Sequence, residues 1–304
     1  MSLPFLSALL FIVLVAFAAN SVLGRVALED GLIDAACYTA IRLASGAGML
    51  ALLVRLQSGR VGGSVDRPRG LVSAASIRAS LGTAFALFVY AAFFSFAYLE
   101  LGAALGALVL FAAVQITMIG HGIATGSRLG PLEWAGVAVA IGGFIYLVAP
   151  GIVGLDGGPP FGATLLMILS GVAWGAYSIA GRGALDPLGA TARNFLLATP
   201  MGLVIVLVFA SSLSVTTAGA VLAIVSGAIT SGLGYALWYR ALPFITSTVA
   251  AVLQLTVPVI AAFGGILFLG EALGWRFAIS SIAILGGVAA TVLGGKTERA
   301  RKAR

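Results

Sequence analysis

Charged residues are scarce in this sequence. The 304 residues include 17 Lys or Arg and 10 Asp or Glu, together 9% of the chain, whereas a soluble domain carries about 25%. Hydrophobic residues make up 61%, which is more apolar surface than a water-soluble domain of this length can bury. The composition excludes an ordinary soluble enzyme, a disordered chain and a secreted disulfide scaffold. It predicts an all-α polytopic membrane protein.

Cysteine and histidine are nearly absent. The one cysteine, Cys37, cannot form an internal disulfide or a cysteine-based metal site. The one histidine, His121, has no clustered acids beside it, so we expect neither a metal nor a cofactor. Paired aspartates inside the apolar runs are also missing, as is a Ser–His pair that the sequence can place. The sequence therefore predicts that the protein is not an enzyme.

Long apolar runs fill most of the chain. A membrane-spanning helix needs about 20 mostly apolar residues, and the sequence contains ten such runs. They are residues 4–24, 34–54, 78–99, 101–120, 132–149, 161–180, 192–210, 219–239, 247–268 and 275–294. The connections between them are short, the longest being 55–77. No soluble domain fits between the spans.

The basic residues indicate an orientation. With ten spans and a cytoplasmic N-terminus, 14 of the 17 basic residues fall on the cytoplasmic side. They are Arg55, Arg60, Arg67, Arg69, Arg78, Arg128, Arg182, Arg193, Arg240, Lys296, Arg299, Arg301, Lys302 and Arg304. Such a bias places both termini in the cytoplasm. Because these charges sit in connections rather than on one folded face, we expect no nucleic-acid partner despite the net charge of +7.

The two halves of the chain resemble each other. Ser21–Arg25 ends the first span and Ser178–Arg182 ends the sixth, 157 residues later. Gly142-Gly143 and Gly286-Gly287 occupy matching places in the fifth and tenth spans. Because each repeat has an odd number of spans, a duplication inserts the second copy upside down, as in many secondary transporters. We therefore predict two inverted five-helix repeats, residues 1–150 and 151–295, followed by a basic cytoplasmic tail, 296–304.

Several motifs resemble one transporter family. The two Gly-Arg ends of spans 1 and 6, Arg42 in span 2, the stretch Ala251–Pro258, and Leu269-Gly270-Glu271 are similar to the drug/metabolite transporter superfamily in its ten-span form with two EamA domains. Within it, the chain most resembles the YddG-type exporters of bacteria. The resemblance implies a multi-pass transporter in the bacterial inner membrane that exports amino acids or other small metabolites. The first half departs from the pattern, with Gln115 at the place of the span-4 proline and Ser127-Arg128 at the place of Gly270-Glu271.

Aromatic and amide side chains form stripes on several spans. Rings with a polar edge suit a pocket for a small amphipathic molecule, and amides must face protein or water rather than lipid. The predicted substrate-binding residues are Phe17, Asn20, Tyr90, Phe94, Phe111, Gln115, Trp174, Tyr177, Tyr235, Trp238, Tyr239, Gln254 and Pro258. Each group also has an alternative to substrate binding. The rings near span ends could form an interfacial belt, the amides could form hydrogen bonds between helices, and Pro258 could produce a static kink.

Ionisable groups inside the spans narrow the choice of cargo. No Asp or Glu lies well inside a predicted span, which favours weak or absent ion coupling. Arg42 is the one charge a couple of turns deep. It either pairs with Asp34 or Glu29, which we favour, or faces a substrate carboxylate. We expect a monomeric carrier in the lipid bilayer for neutral or zwitterionic metabolites, with amino acids, including aromatic ones, first. The alternatives are an exporter of drugs or quaternary amines and, less favoured, a channel-like facilitator.

Overall fold

The computed structural model is a bundle of helices. It describes residues 2–60, 74–126, 129–152, 158–181, 184–245 and 247–302, without the side chains of 58–60, 74–79, 152, 247–248, 251–252 and 295–302. The helices are α1 (Leu3–Glu29), α2 (Ala35–Arg60), α3 (Ala74–Ala97), α4 (Ala103–Ala124), α5 (Pro131–Ile152), α6 (Phe161–Ala180), α7 (Pro187–Val208), α8 (Thr217–Ile224), a π-helical segment (Val225–Leu233), α9 (Gly234–Ala241), α10 (Ser247–Gln254), α11 (Thr256–Leu269) and α12 (Trp275–Lys302).

The predicted spans are confirmed as helices. Within the described part of the chain, nine helical stretches are long and apolar enough to cross a membrane. One of them, Thr217–Phe244, combines α8, the π-helical segment and α9. The ninth predicted span is present as two shorter helices, α10 and α11. Residues 296–302, predicted as a tail, continue α12 as helix, while Ser127-Arg128 and Arg182 lie outside the described residues.

Pro258 explains why the ninth span is divided. Proline lacks an N–H and its ring clashes with the carbonyl of the residue four positions earlier, which here is Gln254. The helix α10 ends at Gln254, and α11 resumes at Thr256. The hydroxyl of Thr256 donates a hydrogen bond to the carbonyl of Leu253 at 2.7 Å, which satisfies one acceptor that the break releases. The kink predicted from Pro258 is thus present as a break at one residue, Leu255, whose backbone stays in the right-handed helical region (φ −66°, ψ −17°).

The main helix contacts join the two halves. Helix α2 packs on α7, and α5 packs on α12. Helix α3 packs on α6 and α7, and the eighth span, its counterpart in the second half, packs on α1 and α2. Helix α4 packs on α6, and α11, the counterpart of α4, packs on α1. Exchanging the halves maps the α2–α7 and α5–α12 pairings onto themselves and maps the remaining pairings onto one another. This pattern is compatible with the predicted repeats, and both the repeats and their inversion stay predictions.

Glycine allows the close approach of α5 and α12. A Cβ on Gly136 would lie 2.5 Å from the carbonyl oxygen of Gly287, well inside van der Waals contact. A Cβ on Gly287 would in turn lie 2.5 Å from the carbonyl oxygen of Gly136. Small residues are how membrane helices pack closely, so one glycine of the predicted Gly286-Gly287 pair serves packing.

One end of the bundle is held by several polar ties. We call it the Glu271 end; it carries the connections 30–34, 98–102, 209–216 and 270–274. The Glu271 carboxylate accepts hydrogen bonds from the backbone N–H groups of Ala103 and Ala104, at the start of α4. Arg25 donates to the carbonyls of Tyr98 and Leu99, each at 3.0 Å. These ties connect α11 with α4 and α1 with α3.

A second set of ties at the Glu271 end crosses between the halves. The backbone of Asp34 donates to the carbonyl of Ser214 at 2.8 Å, and Ile33 forms an isolated antiparallel bridge with Val215. The Asp34 carboxylate accepts from the N–H groups of Cys37 and Ser214. Burial alone raises the pKa of Asp34, but these hydrogen bonds outweigh it and hold the pKa below its ordinary value. The carboxylate is therefore ionised at neutral pH.

Candidate substrate-binding site

Seven of the predicted residues meet in one group of contacting rings. We call it the aromatic cluster; its members from the prediction are Phe17, Tyr90, Phe94, Trp174, Tyr177, Tyr235 and Trp238. Trp174 lies at its centre, with ring centroids 4.8 Å from Tyr90, 5.2 Å from Tyr177 and 5.3 Å from Tyr235. Phe17 extends the cluster by edge contacts to Tyr235 at 5.7 Å and to Trp238 at 5.9 Å. Tyr90 extends it to Phe94 at 5.7 Å.

Both halves of the chain contribute to the aromatic cluster. Phe17 comes from α1 and Tyr90 and Phe94 from α3, whereas Trp174 and Tyr177 come from α6 and Tyr235 and Trp238 from α9. The cluster is held between α3 and α6 by a further bond, in which the Ser170 hydroxyl donates to the Tyr90 carbonyl at 2.9 Å. Apart from Phe17 and Trp174, which are partly exposed, these rings are buried. The cluster therefore lies on the boundary between the halves.

Arg42 lies against the aromatic cluster. Its side chain is only 2% exposed. The guanidinium carbon lies 4.5 Å from the ring centroid of Phe94 and 5.3 Å from that of Tyr90, within cation–π range. The Nη2 atom donates to the Tyr90 hydroxyl at 3.0 Å, while the buried Nη1 atom has no hydrogen-bond partner among the described residues. One donor group of a buried cation is thus left unsatisfied.

The favoured pairing of Arg42 with an acid is wrong. Asp34 instead receives the N–H groups of Cys37 and Ser214 at the Glu271 end. Glu29 instead accepts from Arg25, at 2.6 Å. Both acids find closer partners at the end of the bundle, because Arg42 is about two helical turns further into the membrane than Asp34. The alternative role, toward a substrate carboxylate, is the one left open.

The π-helical segment supplies a polar patch next to the aromatic cluster. Asn20 is buried on α1, and its side-chain oxygen accepts from the hydroxyls of Ser226 at 2.9 Å and Thr230 at 2.5 Å. Tyr38, on α2, is fully buried, and its hydroxyl has no hydrogen-bond partner among the described residues. Asn20 was predicted either to line a substrate cavity or to form hydrogen bonds between helices, and the structure shows the hydrogen bonds between helices. π-helical turns occur frequently at functional sites.

Gly227 sets the distance between the π-helical segment and α2. A Cβ at Gly227 would collide with the carbonyl oxygen of Arg42 and the hydroxyl of Ser45. Backbone atoms cannot move aside without shifting the helix that carries them. The position of Arg42 therefore depends on the lack of a side chain at Gly227.

We expect Gly227→Ala to destabilise the protein by about 1–3 kcal/mol, the usual cost of overpacking a dense interior. The matched control is Gly48→Ala, because a Cβ at Gly48, also on α2, meets nothing within 4 Å. Thermal unfolding of both variants in detergent measures the difference. Equal midpoints for the two variants would contradict the close packing at Gly227.

The other predicted residues are not brought into the aromatic cluster by ring contacts. Phe111 and Gln115 are buried on α4, and Pro258 is buried on α11. Tyr239 and Gln254 are partly exposed. Phe111 belongs to the same hydrophobic core as the cluster but makes no ring contact with the other described aromatic residues. A substrate role for these residues stays a prediction.

Two surface cavities lie elsewhere. One, of about 410 Å³, is at the Glu271 end and includes Gly102, Glu271 and Arg276 in its lining. The other, of about 460 Å³, is an apolar groove between α1, the π-helical segment and α11, bounded by Val22, Ile260 and Phe268 among others. Neither lining includes Arg42 or the rings around Trp174.

The sequence-based prediction missed several residues of the site. Tyr98, 4.6 Å from Phe94, and Phe195, 6.0 Å from Tyr235, extend the aromatic cluster. Arg42 and Tyr38 were also left out of it. The signal for Arg42 was present, because an ionisable residue inside a span is a functional candidate by default. The signal for Tyr38 was its spacing of four residues from Arg42, which puts both on one face of α2.

The sequence has recognisable relatives. Residues 161–293, from the start of α6 into α12, match the profile of the EamA-like transporter family. The "Uncharacterized protein PA1977" of Pseudomonas aeruginosa is 47% identical over 276 residues, which cover 91% of this chain and 90% of that protein. A solved structure described as "Crystal structure of protein" is 20% identical and superposes with a TM-score of 0.64, over 94% of this chain and 98% of that chain. The last similarity concerns the fold.

The matched residues contain the features that first suggested a transporter, the stretch Ala251–Pro258 and Leu269-Gly270-Glu271. The helical architecture agrees with a polytopic membrane protein. Residues 161–293 of the chain form an EamA-like transporter domain.

Proposed function

We propose that the protein is a carrier for small neutral or zwitterionic metabolites, with amino acids, including aromatic ones, as the first class of cargo. The EamA-like transporter domain at residues 161–293 indicates a membrane transporter of small molecules. The observation that supports the narrower cargo is the aromatic cluster with Arg42 beside it, on the boundary between the halves. Transporters built from inverted repeats bind their substrates near the midplane at such a boundary.

The charges near the aromatic cluster favour this cargo over cations. The buried Arg42 repels a cationic drug, and its cation–π contacts occupy the faces of Phe94 and Tyr90. The carboxylate of Glu133, buried at the start of α5, accepts from the N–H of Gly130. The carboxylate of Glu271 accepts from the start of α4. Both acids thus serve helix ends, which disfavours the alternative of a quaternary-amine exporter.

The transport cycle we propose is alternating access with weak or no ion coupling. The ties at the Glu271 end, from Glu271 to α4 and from Arg25 to α3, would hold that end closed in this conformation. Opening that end requires these bonds to break, and a matching closure is then needed at the opposite end. The basic residues of the sequence favour cytoplasmic termini, and the resemblance to bacterial exporters implies the inner membrane. This orientation makes the Glu271 end periplasmic. We take the monomer to be the working unit.

Uptake into proteoliposomes tests the proposal. Radiolabelled L-phenylalanine, L-tryptophan and L-leucine are offered to the reconstituted protein beside the aromatic quaternary amine benzyltrimethylammonium. We expect saturable amino-acid uptake that is stimulated by unlabelled amino acid inside the vesicles. Uptake should persist when the pH gradient is collapsed.

Empty liposomes measure leakage in this assay. Uptake of benzyltrimethylammonium alone would replace the proposal with the cation exporter. Unsaturable flux without stimulation from the inside would indicate a channel-like facilitator. Uptake that stops without a pH gradient would contradict weak ion coupling.

A further inference from the structure

We propose that Arg42 binds the carboxylate of the transported molecule, with Nη1 as the donor and the Tyr38 hydroxyl as a second donor. This inference rests on the proposed function and narrows it, because it makes a free carboxylate the feature that the site recognises. The preferred cargo would then be compounds with a carboxylate close to an apolar or aromatic group.

The first step in the argument is the unsatisfied state of Arg42. A guanidinium carries five N–H donors and no acceptor. Burying such a cation is costly unless it is paired and hydrogen-bonded. Arg42 is 2% exposed, yet its guanidinium bonds to the Tyr90 hydroxyl through Nη2, and Nη1 has no partner among the described residues. A bound anion would satisfy both the charge and the free donor.

The second step is the geometry around the guanidinium. The rings of Phe94 and Tyr90 lie 4.5 Å and 5.3 Å from its central carbon. The Nη1 atom is the buried donor that has no hydrogen-bond partner among the described residues. Arginine is suited to such recognition because its planar fork matches the two oxygens of a carboxylate.

The third step is the position of Tyr38. It lies four residues before Arg42, so both side chains project from the same face of α2. Its buried hydroxyl also has no hydrogen-bond partner among the described residues. Two unsatisfied donors on one helix face thus point to a single acceptor with more than one oxygen.

The fourth step concerns the rest of the ligand. Tyr90, which binds Arg42, is also 4.8 Å from Trp174 in ring-centroid distance. A molecule held by its carboxylate at Arg42 could therefore place an apolar side chain against Trp174 if the rings move apart. Trp174 is partly exposed, so it is a suitable point of entry. Aromatic amino acids fit this combination.

The experiment isolates the carboxylate. N-acetyl-L-phenylalanine carries a carboxylate, and N-acetyl-L-phenylalaninamide replaces it with a neutral amide of the same shape. Each is used to inhibit uptake of radiolabelled L-phenylalanine by the full-length protein in proteoliposomes. We expect the carboxylate to inhibit about 10- to 100-fold more strongly than the amide, the size of effect typical of a charge-assisted hydrogen bond.

Variants at Arg42 identify the donor. Arg42→Met should bring the ratio of the two inhibition constants close to one, and Arg42→Lys should leave an intermediate ratio, because lysine keeps the charge but loses the fork. The matched control is Arg25→Met, which removes an arginine at the Glu271 end and should leave the ratio unchanged. If Arg42→Met does not fold, the Tyr38→Phe variant should still lower the ratio, since it removes one hydroxyl only.

The outcomes separate the two proposals. Saturable L-phenylalanine uptake with equal inhibition by acid and amide would overturn the role of Arg42 and leave the carrier function standing. The role of Arg42 would also be overturned if Arg42→Lys and Tyr38→Phe kept the ratio of inhibition constants of the unmodified protein. Side chains that do not contact the carboxylate have no effect on the preference for acid over amide. Absence of saturable uptake of any amino acid would overturn the proposed function itself.

Discussion

Trp174→Ala should abolish most transport while leaving a folded protein. Trp174 makes three ring contacts, to Tyr90, Tyr177 and Tyr235. Aromatic pairs contribute about 0.5–1.5 kcal/mol each beyond their burial, so loss of the central ring should disorganise both arms of the aromatic cluster. We expect kcat/KM for L-phenylalanine uptake to fall by about 10- to 100-fold, which corresponds to about 1.4–2.8 kcal/mol.

The control for this variant is another tryptophan. Trp275 is 84% exposed at the start of α12, so Trp275→Ala removes an equal volume away from the cluster. Its uptake should match that of the unmodified protein. Trp174→Phe should retain most activity, because a ring remains between Tyr90 and Tyr235. Normal uptake by Trp174→Ala would show that the substrate does not use the cluster.

Glu271→Ala should cause the second large effect, this time on stability. The carboxylate of Glu271 accepts two backbone N–H groups at the start of α4, where a helix leaves its first donors unsatisfied and the helix dipole favours a negative charge. Capping groups are worth about 0.5–2 kcal/mol, and bonds to a charged partner about 1.5–3 kcal/mol. We expect the variant to lose about 2 kcal/mol, seen as a fall of several degrees in Tm.

Glu100→Ala is the matched control, because Glu100 is exposed in the connection just before α4. Its Tm should be nearly unchanged, as is usual for exposed surface charges. Glu271→Gln should fall between the two, since one side-chain oxygen can still accept. Equal Tm values for Glu271→Ala and Glu100→Ala would mean that the tie between α11 and α4 carries no stability.

The spans could be predicted because they follow from one local property. A run of about 20 apolar residues has few alternatives to a membrane helix, so the ten runs became helices close to their predicted bounds. Two local details were not visible in the same way. The first is the break at Leu255, which forms because Pro258 lacks the N–H that would continue the helix. The second is the π-helical segment Val225–Leu233, which depends on packing against α1 and α2.

The site was predicted in part for a related reason. Helical spacing put Trp174 and Tyr177 on one stripe of α6 and Tyr235 and Trp238 on one stripe of α9, and these rings do meet. Spacing alone does not reveal which stripes face each other, so Tyr98 and Phe195 were missed. Sequence distance also predicted the wrong partner for Arg42. At the Glu271 end, Asp34 bonds to backbone N–H groups and Glu29 bonds to Arg25.

A structure of the protein with a transported amino acid bound tests the central claim most directly. With L-phenylalanine, we expect the carboxylate within hydrogen-bond distance of Arg42 Nη1 and the phenyl ring against Trp174, between the two halves of the chain. L-phenylalanine bound in the groove lined by Val22 and Phe268 or in the cavity beside Glu271, with the aromatic cluster unchanged, would contradict the account.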